Sequence, residues 1–259
     1  MKKEIALVCC YNNEKILDSM INSNCVLKNE SYFIKKYYYF NRFNCAAEAY
    51  NYTIENSNAE IYVFVHQDIK LLENDFWDLL IDKINNNSNS IFGLCGSFYE
   101  NKKNKVFSNV YHGLLNKNIG VSISDCKEVE GFDEIFLAFH KDMKKIIKFD
   151  SDMFDGWHLY IEDICLLAKI NNIRCIVLPY KSQHKNYMEM PGYMHITGIY
   201  PSDYFKYLRR LRKKYSRKVD RITCPCITIS TKWFEFYFVY TKIYLHMRIR
   251  KLFRILSFK

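Results

Sequence analysis

Short apolar runs alternate with stretches of helical period through the first hundred residues. Residues 5–10 (IALVCC) form a continuous apolar run bounded by polar positions, the pattern of a strand buried on both faces of a parallel sheet. Residues 14–22 set Ile16, Leu17, Met20 and Ile21 on one helical face. Residues 33–40 are aromatic and β-branched, hence a second strand. Residues 44–55 (NCAAEAYNYTIE) read as a helix with Asn44 as its cap. Residues 61–65 predict a third buried strand, 76–84 a helix and 91–94 a fourth strand. This strand–helix alternation predicts an open, mostly parallel α/β sheet, in which ligands bind beyond the carboxyl ends of the strands.

The pattern is less regular farther on. Residues 97–124 are polar with scattered aromatics, as in loops or an inserted hairpin. A short strand is expected at 135–139, and a helix at 159–170 with Ile161, Ile164, Cys165 and Ala168 on one face. A further strand at 175–178 ends at Pro179. From Pro201 the character changes: a basic helix over 204–217, a break at Cys224-Pro225-Cys226, then an aromatic and finally basic stretch over 232–259. The division expected is a domain over 1–200 and a helical, basic extension over 201–259.

Composition narrows this little. The 259 residues, 49% of them hydrophobic, suffice for one α/β domain with an appendage. Ten cysteines without a CxxC pair read as core thiols and fit a reduced, cytoplasmic compartment rather than a structural zinc site. The apolar run near the N-terminus is too short for a signal-peptide core. No uncharged run reaches the ~20 residues of a membrane span. A peripheral location on the inner face of a plasma membrane is therefore compatible. The net charge of +10 suggests an anionic partner without choosing among nucleic acid, lipid and phosphorylated substrate.

Three local signals carry chemistry. Val63-Phe64-Val65-His66-Gln67-Asp68 puts a carboxylate at the end of a buried strand, where a divalent cation would suit it; a simple turn aspartate is the alternative. In the stretch from Gly156 to Cys165, Glu162 and Asp163 open an otherwise apolar helix. The helix dipole favours carboxylates there by a few tenths of a kcal/mol, and one of them could serve as a general base. Adjacent helical residues diverge by about 100°, so only one can face a given substrate atom. His184 follows the last strand and could return to the edge that carries Asp68.

Tyr-Asn-Asn after the first strand, Asn-x-Ala-x-x-x-Tyr-Asn in the second helix, His-Gln-Asp after the third strand, Gly-Trp-His-x-Tyr-x-x-Asp-x-Cys and Ser-x-His occur in that order. The series resembles the GT-A fold glycosyltransferases of family 2, in particular a bacterial branch with an H-x-D form of the D-x-D motif. The resemblance covers roughly residues 4–190. It implies a Rossmann-like GT-A sheet and transfer of a sugar from a nucleotide-diphosphate donor, a UDP-hexose or UDP-N-acetylhexosamine. The acceptor it implies is a hydroxyl of a surface polysaccharide or lipid-linked oligosaccharide, with inversion and with Mn²⁺ or Mg²⁺. By position it implies Asp68 and His184 as metal ligands, and Tyr11, Asn13, Asn44, Asn51, His66 and Gln67 around the nucleotide. Asp133 then falls at the donor sugar and Trp157 and His158 on the acceptor side. Asp163 is the expected base, with Glu162 in reserve. His66 departs from the family's first aspartate.

The basic, aromatic extension suits an anionic membrane surface or, alternatively, packing in a homo-oligomer. A sugar-nucleotide-binding homologue without activity and a nucleic-acid-binding protein are the rival readings. The second explains neither Asp68 nor Asp163, and no nucleic-acid motif accompanies the charge. Phosphate-binding glycine loops and a G-x-S-x-G elbow are absent.

Overall fold

A computed structural model describes residues 1–21, 25–112, 117–184 and 203–257. The strands are β1 (Lys3–Tyr11), β2 (Tyr32–Phe40), β3 (Ile61–His66), β4 (Ile69–Leu71), β5 (Ser90–Gly93), β6 (Cys95–Glu100), β7 (Lys103–Ser108) and β8 (Val110–His112). They continue with β9 (Lys117–Asn118), β10 (Lys127–Val129), β11 (Gly131–Phe132), β12 (Phe136–His140), β13 (Arg174–Val177), β14 (Ser182–His184), β15 (Arg221–Cys224) and β16 (Ile227–Ser230). The α-helices are α1 (Glu14–Ile21), α2 (Ala46–Asn56), α3 (Phe76–Asn86), α4 (Tyr160–Ile170), α5 (Tyr204–Tyr215) and α6 (Trp233–Ser257).

Seven strands form the central sheet in the order β10-β13-β5-β12-β3-β1-β2. β1 pairs in parallel with both β2 and β3, and β13 with β5. β12 runs antiparallel between β3 and β5, and β10 antiparallel along β13. Five strands thus share one direction, the mostly parallel α/β architecture that the hydrophobic pattern implied. The continuous apolar runs are buried on both faces for the expected reason: one hydrophobic cluster with Val8, Phe64 and Phe139 lies on one side of the sheet, and another with Leu7, Val63 and Phe76 lies on the other.

Two local expectations change. Asn44 does not cap α2; Cys45 occupies the cap position without a side-chain bond, and Asn44 is exposed. The polar stretch after residue 97 holds the expected hairpin, β6–β7, and after it β8 and the edge strand β9. Cys224-Pro225-Cys226 does not separate two helices but turns the hairpin β15–β16. Its β-branched residues Ile222, Thr223, Thr228 and Ile229 favour that conformation.

The segment after residue 203 is not peripheral to the core. Tyr204, Tyr207, Leu208, Leu211 and Tyr215 of α5 join the first hydrophobic cluster, together with Ile222, Ile229 and Phe236. Two glycines mark how closely it is fitted. A Cβ on Gly156 would lie 2.1 Å from the Tyr207 hydroxyl, and one on Gly131 would lie 1.9 Å from the Thr223 carbonyl oxygen. The second obstacle is backbone and cannot rotate aside. Gly131→Ala should therefore lower stability by about 1–3 kcal/mol, as overpacking does, read as a lowered thermal midpoint.

Candidate active site

A cavity of about 330 Å³ opens at the carboxyl edge of β1, β2 and β3, where an open α/β sheet binds its ligands. One half is aromatic and amide-rich: Tyr11 and Asn12 after β1, and Tyr39, Asn41, Arg42 and Phe43 at the end of β2. Asn41 adopts a left-handed φ of 45°, and its N–H donates to the Tyr11 carbonyl at 3.4 Å, which turns the chain into the cavity. The Arg42 guanidinium lies 4.8 Å from the Tyr52 ring centre and 5.3 Å from that of Phe43. A planar cation beside flat rings suits a base and an anionic phosphate.

The loops after β1 and β3 are laced together. Gln67 Oε1 accepts from the Asn12 and Asn13 N–H groups at 3.1 and 3.3 Å, and its Nε2 donates to Asn12 Oδ1 at 2.9 Å. Gln67 borders the cavity, but its amide fastens the edge. Asn13 points the other way: its Oδ1 accepts from Ile16 N–H at 3.2 Å and caps α1. Asn51 also lies elsewhere. Its side chain donates to and accepts from the Phe149 backbone at 2.7 and 3.1 Å, pinning the chain ahead of α4. Asn13, Asn44 and Asn51, expected at the nucleotide, are absent from the cavity wall.

The other half is acidic. Asp133, Glu134 and Glu162 line it with His66 and His158, beneath Trp157 and Tyr204. His158 Nδ1 is 3.6 Å from Glu134 Oε2, and its Nε2 is 4.0 Å from Asp203. Burial disfavours the His158 cation, but Glu134 and then Asp203 outweigh it and raise its pKa. Burial likewise pushes the Glu134 carboxyl up despite His158. Glu162 is 4% exposed, and its Oε2 has no hydrogen-bond partner among the described residues. Burial, then the Glu134 and Asp133 carboxylates, push its pKa well above the usual range. A carboxyl raised by desolvation and lining a cavity is the pattern of a group reserved for proton transfer.

Asp163, the expected base, is turned inward. Its carboxylate is fully buried, bonded by Lys214 at 2.8 and 2.9 Å and by the Tyr215 hydroxyl at 2.9 Å. The divergence of neighbouring helical positions decides between the pair: Glu162 faces the cavity, and Asp163 faces α5. Lys214 also bridges to Asp150 at 2.8 Å. Glu134 and Arg42 were not singled out from the sequence, and Asn12 stood in its Tyr-Asn-Asn motif without a role. Glu134 adjoins Asp133, and Arg42 follows the second strand, so both stood at strand ends where the fold concentrates chemistry.

His66 Nδ1 meets Asp68 Oδ1 at 2.5 Å. Burial opposes the His66 cation, yet Asp68, Glu134 and Asp133 hold its pKa up to about 9. Asp68 is 7% exposed and reaches the cavity through His66. The register of β14 on β4 sets His184 opposite Ile69, next to Asp68, although its side chain lies outside the described part of the structure. Among the described residues no group of three His, Cys, Asp or Glu is arranged to hold a metal. The donors seen to converge among the described side chains are the Asp68 carboxylate and the His66 imidazole. They fit a hard or borderline cation that takes its remaining ligands from phosphate and water, as Mg²⁺ commonly does.

Comparison with known proteins agrees with the fold. A sequence profile described as "Glycosyltransferase like family" matches residues 6–191. Curated protein sequences give no match. The crystal structure of GalNAc-T7 with UDP, GalNAc and Mn²⁺ superposes with a TM-score of 0.52 at 8% identity, over 83% of this chain and 51% of that one. S. aureus TarS 1–349 in complex with UDP gives 0.54 at 12% identity, over 84% of this chain and 66% of that one. A second structure of S. aureus TarS gives 0.54 at 13%, over 84% and 40%. The chain thus spans about half to two-thirds of the first two, and at these identities the likeness establishes the fold alone.

The inward orientation of Asp163 has a measurable consequence. Lys214→Met would leave a fully buried carboxylate with only Tyr215 beside it, a loss of about 3–5 kcal/mol. Asp163→Asn combined with Lys214→Met should cost less than the two single losses added together, as measured by denaturant unfolding.

Proposed function

The chain belongs to the glycosyltransferase-like family whose profile covers residues 6–191, and on that premise we propose that it transfers a sugar from a UDP-sugar to an acceptor hydroxyl. The observation that carries this reading is the division of one strand-edge cavity into an aromatic, amide-rich half and a half of raised carboxyls. The uridine belongs in the first, against Tyr11 and the backbone of Asn12, with Arg42 directed at the diphosphate. The sugar lies toward Asp133, and the acceptor enters past Trp157 and His158. The identity of the sugar as hexose or N-acetylhexosamine, and of the acceptor as surface glycan or lipid-linked oligosaccharide, rests on the resemblance alone.

Glu162 is the group we assign as general base. A carboxylate with a raised pKa takes a hydroxyl proton more readily than an ordinary one, provided it is ionised when the acceptor binds. Attack by the deprotonated hydroxyl on the face opposite the leaving diphosphate inverts the anomeric carbon. His158, restrained by Glu134 and Asp203, orients the acceptor. Asp68, His66 and His184 are the residues that would hold Mn²⁺ or Mg²⁺. When bound, such an ion offsets the charge that develops on the leaving diphosphate.

The donor site is tested by calorimetric titration of UDP. Binding should strengthen with Mn²⁺, and Asp68→Ala should weaken the Mn²⁺-supported binding at least about tenfold, the scale of a lost metal ligand or its support. Binding that ignores both the metal and the substitution would sink the metal assignment and keep the nucleotide site. The absence of UDP binding under every condition would favour another nucleotide first and the nucleic-acid-binding reading after it.

The base is tested separately. Glu162→Gln should lower UDP release from a UDP-hexose about 10²–10⁴-fold with UDP affinity kept. The base must be ionised, so the acid limb of kcat/KM should lie above the ordinary carboxylate range near about 4.3 and vanish in the variant. The same raised pKa predicts a stability trend. The folded state holds the Glu162 proton more tightly than the unfolded state. Native stability therefore falls as pH rises from the unfolded pKa toward the folded one. The thermal midpoint of Glu162→Gln should gain on the native protein across that window. Unchanged activity in the variant would remove Glu162 from the chemistry.

A further inference from the structure

Positive charge is segregated along this chain. Sixteen of its 38 Lys and Arg, but only three of its 28 Asp and Glu, fall from residue 203 onward. Much of the excess lies on α5 and α6. Within α5, Lys206, Arg210 and Lys214 are engaged by Asp155, Asp150 and Asp163. Helix α6 is different. Glu235 is its sole acidic residue, against Lys242, Arg248, Arg250, Lys251 and Arg254.

The packing of α6 is one-sided. Phe236 is fully buried, and Tyr240 and Ile243 pack against the core on the same side. Phe205 of α5 meets the Tyr240 and Tyr244 rings at 5.3 and 5.5 Å. On the opposite side Phe234 is 82% exposed, Phe238 75%, Leu245 53% and Ile249 50%. At about 100° per residue these four fall within an arc of roughly 60°. Lys242 and Arg248 flank the arc, one on each side, and both are exposed. Trp233, 57% exposed, stands at the start of the helix.

We propose that this outward face of α6 docks on an anionic lipid surface. An apolar stripe of large side chains bordered by cations is the arrangement of a helix that lies in the headgroup boundary. The helix lies on the surface and does not cross it: among the described residues no helix is long and apolar enough to span a membrane. The flanking charges also argue against a second copy. A symmetric pairing of two α6 stripes would set Lys242 and Arg248 against like charges, with Glu235 as the helix's only carboxylate, and like charges along a helical seam repel. Anionic headgroups neutralise the same flanks. Since Phe205 neighbours the cavity-lining Tyr204, a docked α6 holds the cavity one helix away from the lipid.

The full chain is sedimented with vesicles of phosphatidylcholine alone and of phosphatidylcholine with about a third phosphatidylglycerol. Binding to the anionic vesicles should exceed binding to the neutral ones at least about tenfold and fall away in high salt. Phe234→Ser with Phe238→Ser should reduce it at least about tenfold, and so should Lys242→Glu with Arg248→Glu. Neither pair touches the core, so the thermal midpoint should stay, which separates lost docking from lost folding. Equal binding to both vesicle types, or none, overturns the proposal. So does a dimer in light scattering that persists in high salt and dissociates in the phenylalanine variant, because a second copy then covers the stripe. No readout here involves a nucleotide or a sugar, so this surface and the donor site can fail independently.

Discussion

The buried contact of Asp163 with Lys214 and Tyr215 ties the two parts of this protein into one. A carboxylate with no exposure must be paired or protonated, and both of its partners come from α5, which follows the segment matched by the family profile. The contact presses α5 onto α4, and α4 presents Glu162 to the cavity. The same helix supplies Lys206, Tyr207 and Arg210 to Asp155, next to the Gly156–His158 turn at the cavity mouth. The last fifth of the chain thus builds the wall on which the proposed acceptor side depends.

This contact also explains where the sequence misleads. Two adjacent carboxylates at the start of an apolar helix are indistinguishable by composition. Position in a motif favoured Asp163, but the side chain that would neutralise it lies about fifty residues farther on. Pairing at that distance is a tertiary fact. Asn51 fails for the same reason: its amide serves the Phe149 backbone rather than a ligand. Asn13 fails more locally, since an asparagine after a strand serves equally as a helix cap or a ligand.

The sheet was legible because its signals are short-range. Runs such as IALVCC and IYVFV can only be strands buried on both faces, and the helical period between them leaves a single direction for the crossovers. The strand edge followed from that, and Tyr11, His66, Asp133, Trp157 and His158 line a single cavity there. The hairpin β15–β16 was hidden by its setting. Its strands are only four residues each, and the basic helices on either side dominate the pattern.

The cavity poses an electrostatic problem that its proposed ligand makes sharper. Asp133, Glu134 and Glu162 line a single space, with Asp68 just behind His66, and a nucleoside diphosphate would bring further negative charge. Like charges at such distances do not all stay ionised. The raised pKa values of Glu134 and Glu162 and the cations favoured on His66 and His158 are the answer that the protein's own groups give. That answer cannot be complete for turnover, because a base that keeps its proton takes none from an acceptor. An added cation near Asp68, or Arg42 closing on the diphosphate, would make the local potential less negative and let Glu162 ionise as the donor binds. On this reading the donor does more than occupy its half of the cavity: together with its counter-charge it sets the protonation state of the base in the other half.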